Sequence, residues 1–190
     1  MLFASMAANK EVPAGGVEWY NKYVEFLGWG GWTTSSKGLS KYTASKSTFT
    51  MEQEGLEILA SAITAAALPG PTSLLLLKVA KDAIGVLQKN EKPLRIFESS
   101  SKKHNGAKFA IGSAVESKDK QVVMVMAAMD FSTSLNVTNV LFWEWSSSSV
   151  SIKSAGDRLE FNSRHFDSVA DKIREKLTDA ARQNIAEIEF

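Results

Sequence analysis

The chain has 190 residues, 44% hydrophobic and 23% charged, with a formal net charge of +1 and no cysteine. This length and balance fit one soluble domain with its own core, and exclude general disorder and a long coiled coil. Near-neutrality gives no bulk attraction to nucleic acid or anionic membrane, so no nucleic-acid partner is expected and only local patches remain open. The missing cysteines exclude disulfides, thiolate nucleophiles and thiolate metal sites.

Residues 1–9 read as a short helix with Phe3, Met6 and Ala7 inward, broken at Pro13-Ala14-Gly15-Gly16. The segment lacks the positive charge and longer apolar run of a Sec signal, which leaves the cytoplasm or a non-Sec export route. From Val17 to Leu27, Trp19, Tyr23 and Leu27 recur at helical spacing beside Tyr20 and Val24. Gly28-Trp29-Gly30-Gly31-Trp32 follows as a compact turn, and residues 38–50 alternate loosely enough for one or two short strands.

Thr50-Met51-Glu52-Gln53 has the form of a capping box, so a helix runs from there to Ala67 or Leu68, where Pro69-Gly70-Pro71 stops it. Thr72 or Ser73 caps the next helix, Leu74 to Lys89. The pair forms a hairpin whose residues 59–77 carry no charge. Its two readings are a buried helix pair and a latent membrane-inserting hairpin. Each arm is near or below the roughly twenty residues a bilayer span needs, and Lys78, Lys81 and Asp82 interrupt the second, which favours core.

After Pro93 the spacing changes to period two. Strands are expected at 94–99, 108–115, 122–131, 140–145, 150–154 and 158–161, the last two joined through Ala155-Gly156-Asp157. Turns fall at 102–106 and 117–120, and residues 122–131, apolar on both faces, predict a central strand. Asn162 or Ser163 caps a long amphipathic helix with Phe166, Val169, Ala170, Ile173, Leu177, Ala181, Ile185 and Ile188 on one face. The expected fold is therefore α+β and a single domain. A mainly helical part (1–90) with its hairpin and a C-terminal helix (163–190) pack on an antiparallel sheet of about five strands (91–162).

No metal or cofactor is expected, since His104 and His165 stand alone and no zinc, calcium or phosphate-loop pattern occurs. The glycines at 28–31 follow a helix, whereas a phosphate loop follows a strand and carries Lys-Ser/Thr. Glu52, Glu54 and Glu57 cluster near a helix N-terminus, where the dipole favours them. Trp29, Trp32, Trp143 and Trp145 are candidate membrane or ligand contacts; alternation places Trp143 and Trp145 on one face, with core beneath the last helix as the plain alternative. Lys102, Lys103 and Lys108 form a modest basic segment. Twenty-three serines, clustered at 99–101 and 146–149, suit exposed strand ends.

These features imply a non-enzymatic interaction protein, either a bacterial membrane-active or insecticidal-type binding protein or a self-assembling subunit. Its partner would be a lipid membrane, another protein or a second copy. The alternative is a small hydrolase with an unrecognised triad built on His165 or His104.

Overall fold

The computed structural model describes residues 1–34, 38–116 and 120–186; the side chains of Leu2 and residues 180–186 fall outside that description. In chain order the elements are α1 (Leu2–Glu11), α2 (Gly16–Trp29), β1 (Trp32–Thr34), β2 (Ser40–Tyr42), β3 (Thr48–Thr50), α3 (Met51–Ala65) and α4 (Gly70–Lys89). Then come α5 (Glu91–Ser101), β4 (Lys102–Lys103), β5 (Gly106–Glu116), β6 (Val122–Thr133), β7 (Glu144–Ser146), β8 (Val150–Phe161) and α6 (Ser163–Ala186). The fold is α+β. Its sheet is antiparallel, ordered β1-β8-β6-β5-β4, with β2 also paired to β8.

The double apolarity of β6 explains the layering. Val125, Ala127, Met129 and Phe131 belong to a core shared with α3 and α4, while Met124, Met126 and Ala128 belong to a second core with α1 and α2. Successive side chains of a strand point to opposite faces, so this strand is covered by helices on both sides. Helix α3 is opened by the expected capping box: Thr50 Oγ1 accepts from Gln53 N–H at 3.2 Å, and Thr50 N–H donates to Gln53 Oε1 at 3.3 Å.

Several expectations are corrected. Residues 94–99 are not a strand but lie in α5: Pro93 sits in the first turn, where its missing N–H costs nothing, and Glu91 pairs with Arg95 one turn on. Ile96 is exposed, and Phe97, the segment's one aromatic, meets the core, edge-on to Phe109 at 5.7 Å. Strand β8 runs unbroken through Ala155-Gly156-Asp157. Gly156 makes room for a helix rather than a turn, since a Cβ there would stand 2.9 Å from the Ala62 Cβ of α3. Residues 140–143 are bends, and the short β7 after them pairs with β3 in a separate ribbon, outside the main sheet.

Helix α4 starts at Gly70, with Pro71 inside its first turn, earlier than a Thr72 or Ser73 cap would allow. On α1 the inward residues are Ala4 and Ala8, whose small side chains permit close packing on α2; Met6 is exposed and Phe3 half-buried. Helix α6 lies at the periphery, because α1–α2 and α3–α4 already cover the two sheet faces. Of its described side chains Ala170 is buried, while Phe166, Val169, Ile173 and Leu177 are half-buried. The turn read at 117–120 falls mostly outside the described residues, as do Ile188 and the side chains of Ala181 and Ile185.

Candidate functional site

The Pro13-Ala14-Gly15-Gly16 break proves to be a built feature. Gly15 and Gly16 both have left-handed backbones (φ +82° and +83°), and a Cβ on Gly15 would stand 2.3 Å from Asp130 Oδ2. The close approach lets Gly16 N–H, at the start of α2, donate to Asp130 Oδ2 at 2.7 Å, a carboxylate at a helix N-terminus. Lys103 Nζ donates to Asp130 Oδ1 at 2.6 Å, both side chains being nearly buried. On β5, Lys108 stands opposite Asp130 in register and donates to the carbonyls of Val12 at 2.8 Å and Pro13 at 2.7 Å. Its ammonium also lies 5.8 Å from the centre of the Trp19 ring. Burial lowers the Lys108 pKa to about 8; Asp130 opposes that shift and Lys103 adds to it.

The three lysines therefore do not share one exposed patch. Lys103 and Lys108 are tied inward, and Lys102 binds the Thr138 carbonyl at 3.0 Å and Glu98 at 3.2 Å. Nearby, Tyr20 Oη donates to Asp157 Oδ2, and burial raises the Asp157 pKa to about 6. These contacts pin α1 and α2 to the sheet. Trp19 Nε1 adds to them by donating to Asn9 Oδ1 at 2.8 Å, and Asn9 Nδ2 donates to the Ser100 carbonyl at 3.0 Å.

Beside this network β5 is an edge strand for most of its length. Strand β4 pairs only with Gly106 and Ala107, and no other strand among the described residues lies outside β5. A cavity of about 410 Å³ runs there, walled by α4 (Ala80, Ala83, Ile84, Leu87), by Phe97 of α5 and by Met1 and Ser5. Residues 108–112 all line it. Consecutive strand residues point to opposite faces, so five in a row can meet one space only along the strand's edge. Tyr23, whose buried hydroxyl has a pKa raised by desolvation, Ser100 and Ser101 supply further polar groups.

A second cleft, about 340 Å³, lies between α6 and the α1–α2 pair. The glycine-rich turn creates it. Gly31 (φ +88°) receives the start of α6 so closely that a Cβ would sit 2.8 Å from the Asn162 carbonyl oxygen, and Asn162 N–H donates to Gly31 O at 2.8 Å. Asn162 Oδ1 caps the helix at His165 N–H, and the His165 ring meets the Trp29 carbonyl at 3.0 Å. Trp29 is 52% exposed at the rim, edge-on to Phe26 at 4.6 Å.

The other predicted aromatics separate. Trp32 is half-buried against Phe161. Trp145 is core, packed on Phe131 at 5.3 Å, whereas Trp143 is exposed; the shared face read from alternation fails because β7 begins only at Glu144. His104 is exposed in its turn, and among the described residues no serine or acid lines the cleft that holds His165. Among the described residues no group of three His, Asp or Glu is placed to hold a metal ion.

The edge cavity escaped the sequence because its wall includes α5, whose Leu94–Ile96 alternation imitates a strand. Gly106 and Gly112 were the available signals. A Cβ on Gly106 would lie 1.9 Å from the Phe131 carbonyl oxygen, and one on Gly112 would lie 3.0 Å from Met126 Cβ. Comparison with protein-family models, curated proteins and solved structures yields no significant match.

Proposed function

We propose that this chain is a non-enzymatic interaction protein that receives an extended, apolar segment of a partner protein along the open edge of β5. The observation that carries the reading is the line of residues 108–112 along one apolar cavity, with pairing on the outer, β4 side of β5 ending at Ala107 among the described residues. An unpaired strand edge offers a row of backbone donors and acceptors. Another extended chain supplies the matching row, and its alternate side chains fill the adjoining apolar space. A hydrocarbon ligand would match only the walls.

The test is selection of displayed random octapeptides on the full chain, with Ala83→Trp as the counter-target. Ala83 is exposed on α4 and lines the cavity, so the larger ring blocks the mouth without entering the core. Peptides alternating apolar and polar residues should bind the parent and lose at least about ten-fold in affinity for the variant. Peptides that bind both equally would refute the reading. If size-exclusion chromatography shows dimers that Ala83→Trp dissociates, the partner segment comes from a second copy.

A second reading, a membrane-active α3–α4 hairpin, is supported by the outer face of α4. Leu74 is 72% exposed and Leu75 50%, with Val79 and Val86 exposed further along, while Leu76 is buried. No helix among the described residues is long and apolar enough to cross a membrane, so the hairpin would act at the interface. A disulfide engineered between α4 and β5 separates the readings. Vesicle leakage present when reduced and absent when oxidised would support hairpin release; equal leakage, or none, would reject it.

A further inference from the structure

The cleft beside α6 combines two chemistries in one concavity. Phe3, Trp29, Val169 and Ile173 supply apolar walls, and Phe26 backs them, edge-on to both Phe3 (6.4 Å) and Trp29 (4.6 Å). His165, Lys172 and Lys176 also line it. At positions i, i+7 and i+11 they fall in one row along the helix, flanking the apolar row Phe166, Val169, Ile173 and Leu177. The long lysine stems can cover apolar wall while the ammonium groups stay at the water boundary. Arg174 on the same helix is paired with Asp171 at 3.1 Å, but Lys172 and Lys176 have no acidic partner among the described residues.

We propose that this cleft binds a single-chain anionic amphiphile. Its hydrocarbon tail lies against Phe3, Trp29, Val169 and Ile173, and its carboxylate meets Lys172 and Lys176 at the rim. The concavity selects a separate chain over a flat bilayer surface: half-buried Phe3, Val169 and Ile173 wall it, Trp29 stands at its rim, and exposed Lys172 and Lys176 lie along the helix that forms one side. Small-molecule sites of this size hold an apolar body and orient it through a few polar groups. This site is separate from the β5 edge and stands or falls without it.

The probe is sodium dodecanoate below its micellar concentration, titrated into the full chain by calorimetry and by tryptophan emission. Saturable binding of one dodecanoate with a blue shift is expected, and Trp29→Phe should remove the shift. Lys172→Glu with Lys176→Glu, both on an exposed helix face, should weaken dodecanoate at least about ten-fold and reverse the preference over dodecyltrimethylammonium. Circular dichroism of each variant confirms that it is folded. Equal affinity for the two amphiphiles, an unaffected double variant, or a shift that survives Trp29→Phe would overturn the proposal. So would binding confined to phosphatidylglycerol vesicles with none to dodecanoate.

Discussion

Asp130 is held from two sides, by the Lys103 ammonium and by the N–H at the start of α2, and its charge also acts on buried Lys108. A buried carboxylate between two buried cations is costly to lose, because the partners' charges stay behind. Asp130→Ala should therefore destabilise the protein by about 3–5 kcal/mol in urea denaturation. Asp130→Leu with Lys103→Met should recover a substantial part of that loss, since the second change removes one stranded charge. A single-variant loss below about 1 kcal/mol would mean that the network is solvated like an ordinary surface pair.

Asp157 gives a second prediction at this scale. Burial raises its folded pKa to about 6, above the ordinary carboxylate value, so the folded state keeps the proton to higher pH than the unfolded chain. Its contribution is full below about pH 4 and declines as pH rises to about 6. Lys108 has the opposite pattern: with its folded pKa lowered to about 8, stability from this group rises from there toward the ordinary lysine range. Asp157→Asn, which keeps an acceptor for Tyr20, should remove the acid-side decline. Relative to the parent it should gain on the order of 2 kcal/mol between about pH 4 and pH 7. Identical pH profiles for parent and variant would contradict this origin of the shift.

At the scale of elements, long periodic segments were legible and short or two-signal segments were not. The stripe of α2, the capping box of α3 and the double apolarity of β6 each matched one structure. Residues 94–99 satisfied a strand template locally, but a proline in the first turn and an i,i+4 ion pair suited a helix equally well, and the chain formed the helix. Gly156 imitated a turn because close packing and turning both call for a missing Cβ. The amphipathic stripe of α6 is visible in the sequence, but periodicity does not say which neighbour has room, and the helix expected on the sheet lies at its periphery. The stability consequence is direct. Leu159, fully buried on β8, should lose about 2–5 kcal/mol on change to Ala, whereas half-buried Leu177 should lose about 1 kcal/mol or less. Equal losses in chemical denaturation would show that α6 packs as deeply as the sheet.

For the whole molecule, both sheet faces are closed by helices and the β8 side is capped by β1 and β2, which leaves β5 as the long strand whose outer edge has no partner strand past Ala107 among the described residues. Sequence could foresee the antiparallel sheet but not its order, because pairing joins segments far apart in the chain. It therefore could not say which edge stays open or that Lys108 would stand beside it. Of the aromatic and basic residues first singled out, Trp29 and Lys108 reach clefts, while Trp145 and Lys103 are structural.

The most direct measurement on that open edge is residue-resolved amide hydrogen exchange, with and without an octapeptide selected on the parent chain. An added strand must accept from the outward-facing N–H groups of β5. Exchange should slow at least about ten-fold at alternate amides within residues 108–112, with little change in the centre of β6. Protection confined to α6 or the outer face of α4, or unchanged exchange along β5 with the peptide bound, would contradict the account.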